Sequence, residues 1–253
     1  MSRFPMRILV VNPNTTASLT AKIAAAARAF AAPGTEIVAV NPQMGPASIE
    51  GYYDEAFALP GLLQEIAKGA AAGADGAVIA CFDDTGLDAA RALAAFPVAG
   101  ICEAGLAAAG MIATRISVVT TLARSVTPIE HLVRRYGFSE RARVHAADIP
   151  VLSLEDPSSN ASALLREKIA EAIASDRSDA VVLGCAGMAD LARDLSGEFG
   201  MPVVDGVSAA VKMIEALAGL GLRTSKAGAY ATPLVKAYAG ALAPFAPAAI
   251  VKA

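Results

Sequence analysis

The sequence carries one pattern twice, and the repetition limits the folds open to it. Asp75-Gly-Ala-Val-Ile-Ala-Cys81 and Asp179-Ala-Val-Val-Leu-Gly-Cys185 are each an Asp, a short apolar run and a Cys six positions after the Asp. A β-rich apolar run closed by Gly and polar residues reads as a buried parallel strand. The echo extends further: Arg7-Ile-Leu-Val-Val11 is matched by Arg115-Ile-Ser-Val-Val119, and Pro97-Val-Ala-Gly100 by Pro202-Val-Val-Asp-Gly206. From the starting Arg to the Cys is 74 residues in one half and 70 in the other, and from the Cys to the closing Pro 16 and 17. A duplicated β/α unit explains all these agreements, whereas chance likeness between two buried strands explains only the first. The expected fold class is therefore α/β, with two pseudo-twofold-related lobes of mainly parallel sheet flanked by helices and an active site in the cleft between them. Residues 1–112 are expected to form the first lobe, with 208–253 packing back on it, and 113–207 the second.

Between the repeated strands the sequence alternates helical and extended stretches. Helices are predicted over Ala17 to Phe30, Tyr53 to Gly69 with a break at Pro60, and Thr85 to Ala95, and another after the strand Pro97-Val-Ala-Gly100 leads to Thr114. Thr85 with Asp88 resembles a capping box, weakened by Gly86. In the second half Thr127-Pro128-Ile-Glu130 predicts a helix start that runs to Tyr136 and stops at Gly137. Further helices are predicted over 162–174, 188–199 and 208–219, and extra strands over 36–40 and 143–147. Asp75 and Asp179 are expected at the far ends of their strands as turn residues.

Composition narrows the function classes. The chain has 253 residues, 55% of them hydrophobic, and a net charge of −3. Its Lys and Arg are scattered, which argues against a nucleic-acid surface or a polybasic membrane patch. No signal-type segment opens the chain, and the uncharged stretch from Ala237 to Val251 is broken by Pro244 and Pro247 and too short to span a bilayer. A soluble cytoplasmic protein is expected, with Cys81, Cys102 and Cys185 as free thiols. There is no metal-ligand spacing, no G-x-G-x-x-G after a strand and no Walker sequence. His131 is expected to be solvated beside Arg134 and Arg135, and His145 has no evident partner.

Two thiols at equivalent strand ends would face each other across one cleft. Each stands before a predicted helix, whose N-terminus can lower a thiol from its ordinary pKa of ~8.5. A thiolate on one face could take a proton from carbon while a thiol on the other face supplies one, inverting a stereocentre. Backbone N–H groups of 82–85 and 186–188 would hold the developing oxyanion. A single Cys at a strand end is more often plain core, and only the pairing argues otherwise. Cys102 lacks a partner in the second half and is expected to be structural. Asp83 and Asp84 could hold substrate or cap a helix; a carboxylate beside a thiolate raises the thiol's pKa, which favours capping for at least one.

Asn12-Pro-Asn14-Thr, Ala80-Cys81-Phe-Asp-Asp-Thr-Gly86 and Leu183-Gly184-Cys185-Ala-Gly-Met188 resemble the hydantoin and allantoin racemases of the aspartate/glutamate racemase superfamily. The resemblance runs from Arg7 to about Gly219 and rests most on the two Cys motifs. It implies two-base catalysis by Cys81 and Cys185, no cofactor, a homo-oligomer, and a small-molecule substrate of the cyclic ureide type; the scattered charge already argues for no nucleic acid or membrane partner. It places Asn14, Phe82, Asp83, Thr120, Thr121, Ala186 and Gly187 around the substrate. Ile49, in the loop from Gly45, is the candidate for reading the C5 substituent, where an apolar wall would favour alkyl or arylalkyl groups and a polar one a ureido group. Related decarboxylases keep one of the two Cys; this chain has both. A 5-substituted hydantoin is the expected substrate, followed by allantoin and then an amino acid. A two-lobed binding protein is the non-enzymatic alternative.

Overall fold

The computed structural model describes residues 5–156 and 158–247; the remaining parts of the segments 1–112 and 208–253 lie outside the described residues. The first half of the chain supplies β1 (Met6–Val11), α1 (Ala17–Phe30), β2 (Thr35–Val40), α2 (Tyr52–Ala71), β3 (Gly76–Ile79), α3 (Leu87–Leu93), β4 (Val98–Gly100) and α4 (Ile101–Ile112). The second half repeats the order with β5 (Ile116–Thr120), α5 (Val126–Arg135), β6 (Ala142–Ala146), α6 (Ala161–Asp176), β7 (Ala180–Gly184), α7 (Ala192–Phe199), β8 (Val203–Asp205) and α8 (Gly206–Gly219). Each half forms a four-stranded sheet, in the orders β2-β1-β3-β4 and β6-β5-β7-β8. Every pairing is parallel.

The duplication holds down to single hydrogen bonds. Arg7 N donates to Asp75 Oδ2 at 2.8 Å, and Arg115 N to Asp179 Oδ1 at 2.7 Å. In return Asp75 N donates to Arg7 O, and Asp179 N to Arg115 O. Both Asp residues thus lock the start of one central strand to the other, as turn residues at the far end. The backbone N–H groups of Thr114 and Arg115 hold the Asp179 carboxyl at about 2.

Both faces of the sheets are covered, which is why the strands read as unbroken apolar runs. Along β1 and β3, Leu9, Val11, Ala77 and Ile79 pack under α2 and α3, while Ile8, Val10 and Val78 turn to the opposite face. That second face joins a core continuous through both halves, with Cys102, Leu106, Val118, Val182, Val211 and Ile214. Two exchanged helices build it: α8, the last helix of the second half, packs on β1, β3 and β4, while α4 of the first half packs on β7 and β8 as well as on α8. The close approach needs Gly206, because any side chain there would run into the Ile101 carbonyl. Cys102 is fully buried in this seam.

Several local expectations need correction. α2 runs unbroken through Pro60. α3 starts at Leu87 after Gly86, whose φ of +69° turns the chain, and no Thr85–Asp88 capping box forms. α5 starts at Val126 after a short 3-10 turn over Ala123–Ser125, so Thr127 lies inside the helix and does not cap it. The stretch after Cys185 is a 3-10 turn over Ala186–Leu191, and only Ala192–Phe199 is α-helical. His145 does have a partner, Asp176 Oδ2 at 2.7 Å from Nε2.

Candidate active site

β3 and β7 occupy equivalent places in the two sheets, so their carboxyl ends deliver Cys81 and Cys185 into one space. Both line a narrow cavity of about 40 Å³ with Asn14, Ile49, Phe82, Asp83, Thr120, Thr121 and Ala186. Nine of the ten residues singled out in the sequence therefore meet at one cavity. Gly187 does not line it; it stands behind Cys185, against Leu19 and Leu154. The cavity wall also includes Ser125 and Val151, which sequence reasoning missed. The repeat held a signal for Val151: it follows β6 as Ile49 follows β2. Ser125 lies in the same βα turn as Thr121, and no motif marked it.

The Asn-Pro-Asn turn is a hydrogen-bonded support. Buried Asn12 donates through Nδ2 to Asn14 Oδ1 at 2.8 Å and to Thr20 Oγ1 at 3.0 Å. Thr16 N also donates to Asn14 Oδ1, at 3.0 Å. With its oxygen held twice, Asn14 has its amide –NH2 end to offer the cavity. Thr120 Oγ1 donates to Gly184 O at 3.0 Å and ties β5 to the Cys185 turn. Gly184 is required there, since a Cβ would press on the Thr120 backbone at 2.8 Å. Two loops close over the cavity, with Val151 N donating to Glu50 Oε1 at 3.2 Å. A cavity this size takes only a few small groups.

Neither thiol is activated in the way its place before a helix led us to expect. Burial pushes the Cys81 thiol well above the ordinary range, and the nearby Asp83 carboxyl pushes it further. Burial likewise pushes Cys185 up to about 11. The backbone N–H groups of Asp83 and Gly187 act in the lowering direction on Cys81 and Cys185, but desolvation outweighs them. Asp84 N and Met188 N donate to the carbonyls of Cys81 and Cys185. Two of the N–H groups assigned to an oxyanion are thus engaged with the cysteine carbonyls. Across the cavity, Cys185 adds to the upward push on Cys81. Charge repulsion across the cavity therefore disfavours two thiolates at once.

The two acids of the Cys81 turn divide their tasks. Asp84 is buried and accepts from Cys102 N and Glu103 N, both at 3.0 Å, and from the Tyr136 hydroxyl at 2.7 Å. It caps α4, not the helix that follows it. In the second half the equivalent cap is Asp205, which accepts from Ser208 N at 2.8 Å at the start of α8. Gly100 occupies Asp205's place in the first half, and the Asp84 carboxyl fills the space its side chain would take. Asp83 faces the cavity, and burial, with Glu55 and Asp84 adding to it, pushes its carboxyl up to about 7.

Fold and site together define a class: a two-lobed α/β protein with a thiol from each lobe at a shared cleft. Residues 8–214 match the family described as Asp/Glu/Hydantoin racemase. A hydantoin racemase of Rhizobium meliloti is 51% identical over 236 residues, covering 93% of this chain and 98% of that protein. Another, of Paenarthrobacter aurescens, is 41% identical over 235 residues, covering 92% and 100%. The solved allantoin racemase from Klebsiella pneumoniae superposes with a TM-score of 0.93 at 53% identity, covering 96% of this chain and 99% of that one. The chain belongs to the Asp/Glu/hydantoin racemase family.

Proposed function

We propose that this enzyme racemises a 5-substituted hydantoin by two-base proton transfer between Cys81 and Cys185. The observation that carries the reading is the pair of sulfurs, one from each lobe, on one cavity. A thiolate on one face takes the C5 proton; the electron pair moves onto the adjacent carbonyl as an enolate; the opposite thiol returns a proton to the other face of C5. The sulfurs exchange protonation states, and nothing else is consumed. Desolvation makes each thiolate scarce, and for the same reason a stronger base toward carbon acid. Asn14, Thr121 and Ser125 supply polar groups for the ring carbonyls and N–H groups, and Phe82 and Ala186 flank it.

Ile49, Leu19 and Val151 give the cavity an apolar side. That favours an alkyl or arylalkyl substituent. No Lys or Arg lines the cavity, which counts against an amino acid, whose carboxylate would need a cation. Allantoin is the second reading, supported by the 53% identity to the Klebsiella enzyme and by Asp83, an acceptor for ureido N–H groups. Single enantiomers of a 5-alkylhydantoin, a 5-benzylhydantoin and allantoin, each followed by optical rotation, separate these readings. The hydantoins are expected to lose rotation with kcat/KM at least about tenfold above allantoin, the worth of one well-filled apolar contact. The reverse order installs allantoin; loss of rotation by none rejects the racemase reading.

A further inference from the structure

Pseudo-symmetry makes the surroundings of the two sulfurs directly comparable, and two of the positions at which they differ set polar side chains beside Cys81. Cys81 and Cys185 begin equivalent turns, in which Asp84 N and Met188 N donate to the Cys carbonyls. Asp83 on one side corresponds to Gly187 on the other, and Thr85 to Ala189. The Cys81 turn thus carries a carboxyl and a hydroxyl where the Cys185 turn carries neither. Thr85 is 2% exposed, and its Oγ1 donates to Cys81 Sγ at 3.4 Å, its hydrogen bond among the described residues. A buried hydroxyl aimed at a reactive sulfur, in place of the helix-capping bond its sequence context offers, has been diverted to that sulfur.

We propose that Thr85 is a positioning residue for Cys81, and that its hydroxyl offsets the adjacent Asp83 carboxyl so that Cys81 can alternate with Cys185 between thiol and thiolate. The inference rests on the two-thiol reading above. An S⁻ accepting from O–H is favoured over S–H, and the same sulfur beside a carboxylate is disfavoured. The two effects oppose each other on one atom. Without Thr85 only the smaller effect of the Asp83 N–H would oppose the carboxyl, Cys81 would stay a thiol, and proton removal from one enantiomer would stall. Other charged or titratable groups act on both partners of the comparison. Cys81 faces Asp83 and Cys185; Asp83 in turn faces Glu55 of α2 and Asp84; Cys185 faces Asp83, Lys22 of α1 and Glu155. Thr85 is among the influences on Cys81 and not on Cys185.

The test reads each thiol separately. Iodoacetamide alkylation is followed against pH, with the adducts at Cys81 and Cys185 resolved by peptide mass, in the wild type, Thr85→Val, Thr85→Ala, Thr85→Ser and Asp83→Asn. Thr85→Val is expected to move the Cys81 profile to higher pH by about one unit, a tenfold loss of thiolate at fixed pH, and to leave Cys185 in place. Thr85→Ser is expected to restore the wild-type profile, and Asp83→Asn to move Cys81 to lower pH. Thr85→Ala replaces Thr85→Val should the latter not fold. A Cys81 profile unmoved in both, or Cys81 and Cys185 moving together, overturns the proposal. Racemisation measured on the same samples keeps the two claims apart. A shifted Cys81 profile in a protein that racemises nothing supports Thr85's role and sinks the racemase reading, whereas an unshifted profile in an active racemase does the opposite.

Discussion

At the scale of single residues, the site is governed by desolvation. Cys81, Cys185, Asp83 and Asp84 are all pushed toward their neutral forms, with burial the first cause in each case. For the two acids this has a consequence for stability. Each carboxyl is raised from an ordinary 3.8 to about 7. A raised carboxyl binds its proton more tightly in the folded state, so its contribution is full below about pH 4 and is lost as pH rises to about 7. Wild-type melting temperature is therefore expected to fall between about pH 5 and 7.5. Asp83→Asn removes one of the two groups and is expected to lessen that fall by on the order of 2 kcal/mol in stability. Scanning calorimetry of both proteins across this range checks it. Equal slopes would show that Asp83 is ionised in the folded protein well below pH 7.

At the scale of elements, what the sequence made legible was set by how local the determining forces are. Strands came through because both faces of each sheet are buried, leaving apolar runs such as Ile8 to Val11 and Ala180 to Leu183. α1 came through with its ends intact because its amphipathic pattern sits between a polar turn and Pro33-Gly34. Helix starts next to the site did not. Thr85 has the local sequence of a cap, but its hydroxyl is engaged by a sulfur. Asp84 caps a helix that begins at Ile101, a relationship between turns that no local window contains. His145 and Asp176 meet through β6 and the end of α6, again beyond any local pattern. The cavity residues were recoverable where the repeat or the family resemblance pointed at them. Ser125 was not, because a Ser in a turn has the same local signature with or without a cavity beside it.

At the scale of the whole molecule, the halves are duplicates that cannot be separated cleanly. Each lends a helix to the other: α4 covers the second sheet and α8 the first, crossing at Ile101 and Gly206. The core that results runs through both halves. Unfolding one half would strip the other of a packed helix, exposing several buried Leu, Ile and Val side chains worth about 1.5–3 kcal/mol each. A single cooperative transition is expected, with far-ultraviolet circular dichroism and tyrosine fluorescence superimposing along a urea titration. Two separated transitions would mean that the exchanged helices do not couple the lobes. The same exchange fixes the cleft, since the strands that carry the two cysteines both pack against the α4–α8 pair. No described helix is long and apolar enough to cross a membrane.

One measurement bears most directly on the pairing of the thiols. A single enantiomer of a 5-substituted hydantoin is incubated in deuterated water with the wild type, Cys81→Ser or Cys185→Ser, and rotation and C5 exchange are followed together. The wild type is expected to lose rotation and gain deuterium at C5. Each Ser variant is expected to racemise at least about a hundredfold more slowly, the worth of one positioned acid or base, and the variant that keeps the thiol on the C5–H face to exchange deuterium without inversion. Full racemisation by both Ser variants would contradict a mechanism in which two sulfurs share one carbon.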